Sequence, residues 1–117
     1  MYRDEILDLY KHPRNAGSLE HPDFEAEGEN PSCGDHIVVG FNVEDGEIEE
    51  MRHETDGCAI CTAAASILTE EVQGMSLEEL EGLDRDWMLE KLGIEVSPMR
   101  VKCAMLGLNV VQDALDD

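Results

Sequence analysis

The tightest constraint on this chain lies between His36 and Val72. Residues 36–43, HIVVGFNV, place Ile37, Val39, Phe41 and Val43 at every second position, the pattern of a half-buried strand. Asp45-Gly46 follows, and glycine accepts the positive φ that a tight hairpin turn requires. The return strand, Glu47 to about Thr55, alternates less cleanly and predicts a bulge. Gly57 then opens CAICTAAASILTEEV, where Ile60, Ala64, Leu68 and Val72 fall four apart, the stripe of a packed helix. An antiparallel hairpin that runs straight into a helix argues against a fold built from parallel strand–helix–strand units here.

The flanks fit this frame. Residues 4–11, DEILDLYK, read as a short amphipathic helix stopped at His12-Pro13, because the residue before proline is pushed out of helical geometry. Arg14 to Pro31 is rich in Gly, Pro, Asn and acids and reads as loop with one short edge strand. Ser76-Leu77-Glu78-Glu79 carries a capping-box pattern, Asp84 starts a helix through Leu92, and Ser97-Pro98 opens the last helix. That helix runs to about Leu115, with Val101, Ala104, Leu108, Val111 and Leu115 as its core stripe. The order predicts an α+β fold: a small antiparallel sheet of about three strands, packed by an N-terminal helix and several C-terminal helices. With no repeat or linker, residues 1–117 read as a single domain.

Charge narrows the partners. The net charge is −20, from 28 acidic and 8 basic residues, which repels phosphate backbones and excludes nucleic acid as an expected partner. Hydrophobic content of 42% argues against disorder, so the acid excess reads as a surface adapted to high salt, a halophilic trait. No run approaches the ~18 apolar residues of a membrane span, and MYRDEILDLY lacks a signal peptide's apolar core. The expectation is a cytoplasmic protein with no membrane partner.

In that compartment the four cysteines, Cys33, Cys58, Cys61 and Cys103, read more readily as metal or sulfur ligands than as disulfides. Cys33 and Asp35 leave the turn NPSCGD before the first clear strand. Cys58 stands at a helix start, where free backbone N–H groups and the helix dipole favour thiolate. Cys103 lies about 110° from the centre of the last helix's stripe, at its edge. Three thiolates and one carboxylate can close a tetrahedron around Zn²⁺, and thiolates also hold iron–sulfur clusters. A carboxylate is a harder and weaker donor than thiolate to iron–sulfide, which suits a cluster that must leave. Spacing alone leaves inert, packed cysteines as an equal alternative.

The motifs NPSCGD, GCAICTAAAS and RVKC at 100–103, with YKHPRNAGSLE near the N-terminus, resemble the U-type iron–sulfur assembly proteins (IscU, SufU and the N-terminal domain of NifU). The similarity runs over nearly the whole chain in family order. It implies a compact α+β fold and a cluster or zinc site on Cys33, Asp35, Cys58 and Cys103. It also implies sulfur supply by a pyridoxal-phosphate cysteine desulfurase. In the family's scaffold branch, a transient [2Fe-2S] cluster is assembled and passed to recipient iron–sulfur apoproteins. In its zinc-dependent branch the protein accepts persulfide sulfur, as a sulfurtransferase rather than a scaffold. RVKC follows the zinc pattern, with Lys102 where the scaffold branch has His. The 44 residues between Cys58 and Cys103 lack the zinc branch's insertion. The reading leans to the scaffold, with Cys103 as first sulfur acceptor, and keeps sulfur transfer as runner-up. A binding domain without sulfur chemistry is the remote alternative.

Cys61 departs from the family, where serine is usual. C-A-I-C by itself suggests a thioredoxin-like redox motif, which the preceding hairpin disfavours. Cys61 reads as a small core residue, or as a spare ligand or sulfur relay. His12, His21 and His53 read as surface residues, and His36 as an exposed strand start. Arg100, one helical turn before Cys103, is placed over the site, where it would attract anionic persulfide, or else in a solvated ion pair.

Overall fold

The computed structural model describes residues 4–116. In chain order the elements are α1 (Asp4–Lys11), β1 (Phe24–Asn30), β2 (Asp35–Glu44), β3 (Glu47–Asp56), α2 (Ala59–Glu71), α3 (Leu77–Glu81), α4 (Arg85–Leu92) and α5 (Pro98–Asp116). The strands form one antiparallel sheet in the order β1-β2-β3. Helix α5 lies against β1 and β2, α2 against β3 and α5, and α1 against α2. This is the α+β arrangement that the hairpin and helix stripes predict.

One face of the sheet carries the core. Ile37, Val39 and Phe41 of β2 and Ile48 and Met51 of β3 are buried there, against Ile60, Ala64 and Leu68 of α2 and Ala104, Leu108 and Val111 of α5. The expected bulge is present: Asn42 pairs with Glu50 but Val43 pairs with Ile48, so Glu49 has no partner across the hairpin. Asp45, with φ 55°, and Gly46, with φ 80°, make the turn left-handed. Ser76 and Glu79 form the capping box of α3, and the Asp84 carboxylate caps α4 by accepting from the Trp87 N–H.

Three expectations change. The segment expected to be mostly loop contains a full seven-residue strand, β1, in register with β2 from Phe24↔Phe41 to Asn30↔Asp35. Glu25, Glu27 and Glu29 face solvent while Phe24, Ala26 and Gly28 face inward. The Phe24 and Phe41 rings stack across the strands at 4.9 Å, a cross-strand pair that helps fix register. Gly28 is where α5 comes closest, since a Cβ there would run into the Val110 side chain.

His53 is not on the surface; it is 1% exposed. Its Nε2 donates to the Arg14 carbonyl at 2.9 Å, and its Nδ1 lies 2.7 Å from the Thr55 hydroxyl. Residues 14–17 run along the outer side of β3 there, through His53 N–H to the Asn15 carbonyl and Gly17 N–H to the His53 carbonyl. At the other end of β3, Ile48 exchanges backbone hydrogen bonds with Gly74 and Met75.

Cys103, placed at the stripe's edge by helical geometry, is 0% exposed. Helix α5 is sandwiched by β1 and β2 on one side and by α2, α3 and α4 on others. Its buried surface therefore widens to Cys103, Leu106, Gly107 and Val110, while Val101 and Leu115 are only half-buried.

Candidate metal and sulfur site

The site begins at the turn joining β1 to β2. The Cys33 N–H donates to the Asn30 carbonyl at 3.1 Å, and Gly34 takes a left-handed φ of 73°. This bend returns the chain so that Cys33 and Asp35 both face the interior, with Cys33 half-buried and Asp35 1% exposed.

Asp35 is anchored to the start of α2. The Cys58 N–H donates to Asp35 Oδ1 at 3.0 Å, so the carboxylate answers one of the unpaired donors of a helix N-terminus. Gly57 makes that approach possible: a Cβ there would lie 2.6 Å from Oδ1. The other oxygen, Oδ2, is buried and accepts no hydrogen bond. A lone buried carboxylate oxygen is costly, and a bound cation would relieve that cost.

The remaining donors gather at that carboxylate. Ligand atoms of Cys33, Asp35 and Cys103 all lie within 4.8 Å of one another. The Asn30 amide donates to Cys103 Sγ at 3.8 Å. Burial pushes the Cys103 thiol far up, helped by the neighbouring Asp35 carboxylate, then by Cys33 and Cys58. Cys58 stands outside the 4.8 Å set, though it also helps to raise the Cys103 thiol. It caps α2, and its Sγ accepts the Cys61 N–H at 3.5 Å. A thiophilic divalent cation would displace the thiol protons and give Oδ2 a partner. The donor set fits such an ion.

Cys61 is 1% exposed. Burial drives its thiol up to about 12, and the charges of Asp35, Cys58 and Cys33 add to the rise. His36 is exposed, with Nε2 2.9 Å from Glu27 Oε2. Arg100 lies one turn before Cys103 on α5 and is half-buried. Sequence reasoning missed two contributors. Asn30 opens the quoted NPSCGD motif, yet its contact with a thiol 73 residues away is set by the fold alone. Gly57 was read only as a helix opener.

The structure thus brings two thiols and one carboxylate together from a turn and the C-terminal helix, with Cys58 at the adjoining helix start. The family follows: the NifU-like N-terminal domain profile matches residues 1–117, and the chain belongs to that family. The iron–sulfur cluster assembly scaffold protein IscU 1 of Archaeoglobus fulgidus is 33% identical over 117 residues, covering 100% of this chain and 76% of that protein. The iron–sulfur cluster assembly scaffold protein IscU of Haemophilus influenzae is 35% identical over 121 residues, covering 99% and 94%. A Fervidobacterium islandicum crystal structure, described as an iron–sulfur cluster assembly scaffold for the SUF system, superposes with a TM-score of 0.83 at 27% identity, covering 97% and 96%. A NifU-like N-terminal domain of Brucella abortus shares the fold, with a TM-score of 0.79 at 23% identity over 97% and 91% of the two chains.

Proposed function

We propose that this chain is an assembly scaffold. It accepts sulfur from a cysteine desulfurase, builds a transient [2Fe-2S] cluster on Cys33, Asp35, Cys58 and Cys103, and passes it to recipient iron–sulfur apoproteins in the cytoplasm. The observation that carries this reading is the buried Asp35 carboxylate, with Oδ2 unpaired and a ligand oxygen within 4.8 Å of the Cys33 and Cys103 thiols. In this reading the chain is a single-domain carrier rather than a turnover enzyme.

A thiolate of this chain attacks the terminal sulfur of the desulfurase persulfide, and the desulfurase thiolate leaves. Because Cys103 is buried, this reading has sulfur arrive first at more exposed thiols. The half-buried Cys33 and Cys58 receive sulfur first, and Cys103 accepts it from them by the same exchange. The cluster itself is cargo, and the single carboxylate is its weakest ligand.

A second reading is a zinc-dependent persulfide acceptor. It is favoured by the same donor set, by RVKC at 100–103, and by the likeness to a protein described as part of the SUF system. Here Zn²⁺ would be held by Cys33, Asp35, Cys58 and Cys103, stabilising the fold until one cysteine leaves to take sulfur.

Metal analysis of freshly purified protein, followed by anaerobic reconstitution with desulfurase, cysteine and ferrous iron, separates the two. A visible cluster chromophore supports the scaffold; stoichiometric zinc with no chromophore supports the acceptor. If Cys33→Ser leaves desulfurase turnover in the mixture unchanged and neither metal binds, both readings fail.

A further inference from the structure

Neither reading uses Cys61. Cys58 caps α2 and Cys61 sits three residues later in its first turn, with the Cys61 N–H donating to Cys58 Sγ at 3.5 Å. Residues three apart on a helix have Cα atoms about 5 Å apart, inside the roughly 4.4–6.8 Å that a disulfide spans. The parallel-sheet fold that C-A-I-C by itself suggests is absent among the described residues, but a dithiol needs only a helix start.

We propose that Cys58 and Cys61 form a dithiol that releases sulfur delivered to Cys58 as sulfide. The proposal rests on the scaffold reading for the source of that sulfur. The Cys61 sulfur attacks Sγ of the Cys58 persulfide, the inner of its two sulfurs. The bond between Sγ and the outer sulfur breaks as the Cys58–Cys61 disulfide forms. The outer sulfur departs with the bonding electron pair and the Cys61 proton, as hydrosulfide. It is thereby reduced by two electrons, and the two cysteines are oxidised. An external dithiol reductant then restores the pair. Sulfide is produced at the start of α2, beside Asp35, to which the Cys58 N–H donates, without a separate electron carrier acting on the persulfide. A serine at this position cannot perform the step.

The test uses the full, metal-free chain, reduced and then loaded anaerobically with inorganic polysulfide. Free sulfide and the masses of cysteine peptides are followed with no reductant present. Wild type is expected to release stoichiometric sulfide and to yield a 58–61 peptide lighter by two hydrogens. Cys61→Ser and Cys61→Ala are expected to keep the extra sulfur on Cys58 and to release sulfide about tenfold more slowly or worse. Three results overturn the proposal: release at the wild-type rate from both variants, a disulfide mapping to Cys33 and Cys103, or the extra sulfur migrating intact to Cys61. A parallel arm loads the chain with desulfurase and cysteine. Polysulfide-driven release without desulfurase loading would sink the scaffold reading and leave the dithiol standing. Persulfide that forms from the desulfurase but stays on Cys58 sinks only the dithiol.

Discussion

Replacing Gly57 with alanine tests whether the site's geometry depends on one close approach. The added methyl would lie 2.6 Å from Asp35 Oδ1, 3.1 Å from Cγ and 3.2 Å from Cβ, all inside ordinary contact. Gly57 is not among the residues with positive φ, so alanine meets a steric cost rather than a backbone one. Asp35 cannot withdraw as a whole, because it pairs with Asn30 at the end of β1. The side chain must therefore rotate and give up the Cys58 N–H bond. A hydrogen bond to a charged group contributes about 1.5–3 kcal/mol. Stiffening the unfolded chain returns about 0.4–1 kcal/mol. The expected net loss is about 0.5–2.6 kcal/mol, a drop in Tm of roughly 2–10 °C for a chain of this size. Circular dichroism melts in the presence of a chelator measure it. Co²⁺ titration, read by its thiolate charge-transfer band, then shows whether the ligand set has loosened. Wild-type Tm together with wild-type Co²⁺ affinity would refute the claim that Gly57 places Asp35.

Other outcomes follow from single contacts. Asp35→Ala should leave a reconstituted cluster longer-lived, since the proposal makes this weak carboxylate the ligand through which the cluster is released; equal decay of the visible chromophore in both proteins would count against it. Burial holds His53 below its ordinary 6.5, so on acidification the unfolded chain takes the proton first. The stability owed to the neutral ring is complete above about 6.5 and drains as pH falls below it; His53→Gln should flatten that fall in urea midpoints, and parallel curves would refute it. Gly28→Ala should cost about 1–3 kcal/mol by overpacking against Val110; in denaturant melts, Val110→Ala should recover much of that loss, and simple additivity would argue against the contact. The denaturation midpoint should rise with KCl as the −20 charge is screened; a flat or falling series would remove the case for a salt-adapted surface.

The hairpin, the helix starts and the capping box could be read directly because each has a local cause: alternation in 36–43, Asp45-Gly46, Ser76 with Glu79, and Ser97-Pro98. Strand β1 was obscured by its own surface. Glu25, Glu27 and Glu29 alternate as strictly as the apolar residues of β2, but Gly28 and flanking prolines resemble loop composition. His53 could not be placed from sequence because the carbonyl that receives it belongs to Arg14, 39 residues earlier. Motif and resemblance point to Cys33, Asp35, Cys58 and Cys103 as one site; Cys33, Asp35 and Cys103 lie together in the fold, and Cys58 stands outside that set. What residue spacing could not supply was the depth of Cys103, the unpaired Oδ2 and the role of Gly57, all products of how α5 and the hairpin meet.

The margins of the sheet carry a last implication, for crowding and storage. The outer margin of β3 is occupied by the chain's own backbone, through residues 14–17 and 74–75. That of β1 has no partner strand among the described residues and is guarded by glutamate repulsion. Backbone pairing is indifferent to ions, whereas repulsion fades as ions are added. Any oligomer that forms in concentrated brine should therefore nucleate along β1, and a lysine in place of Glu27 should hasten it.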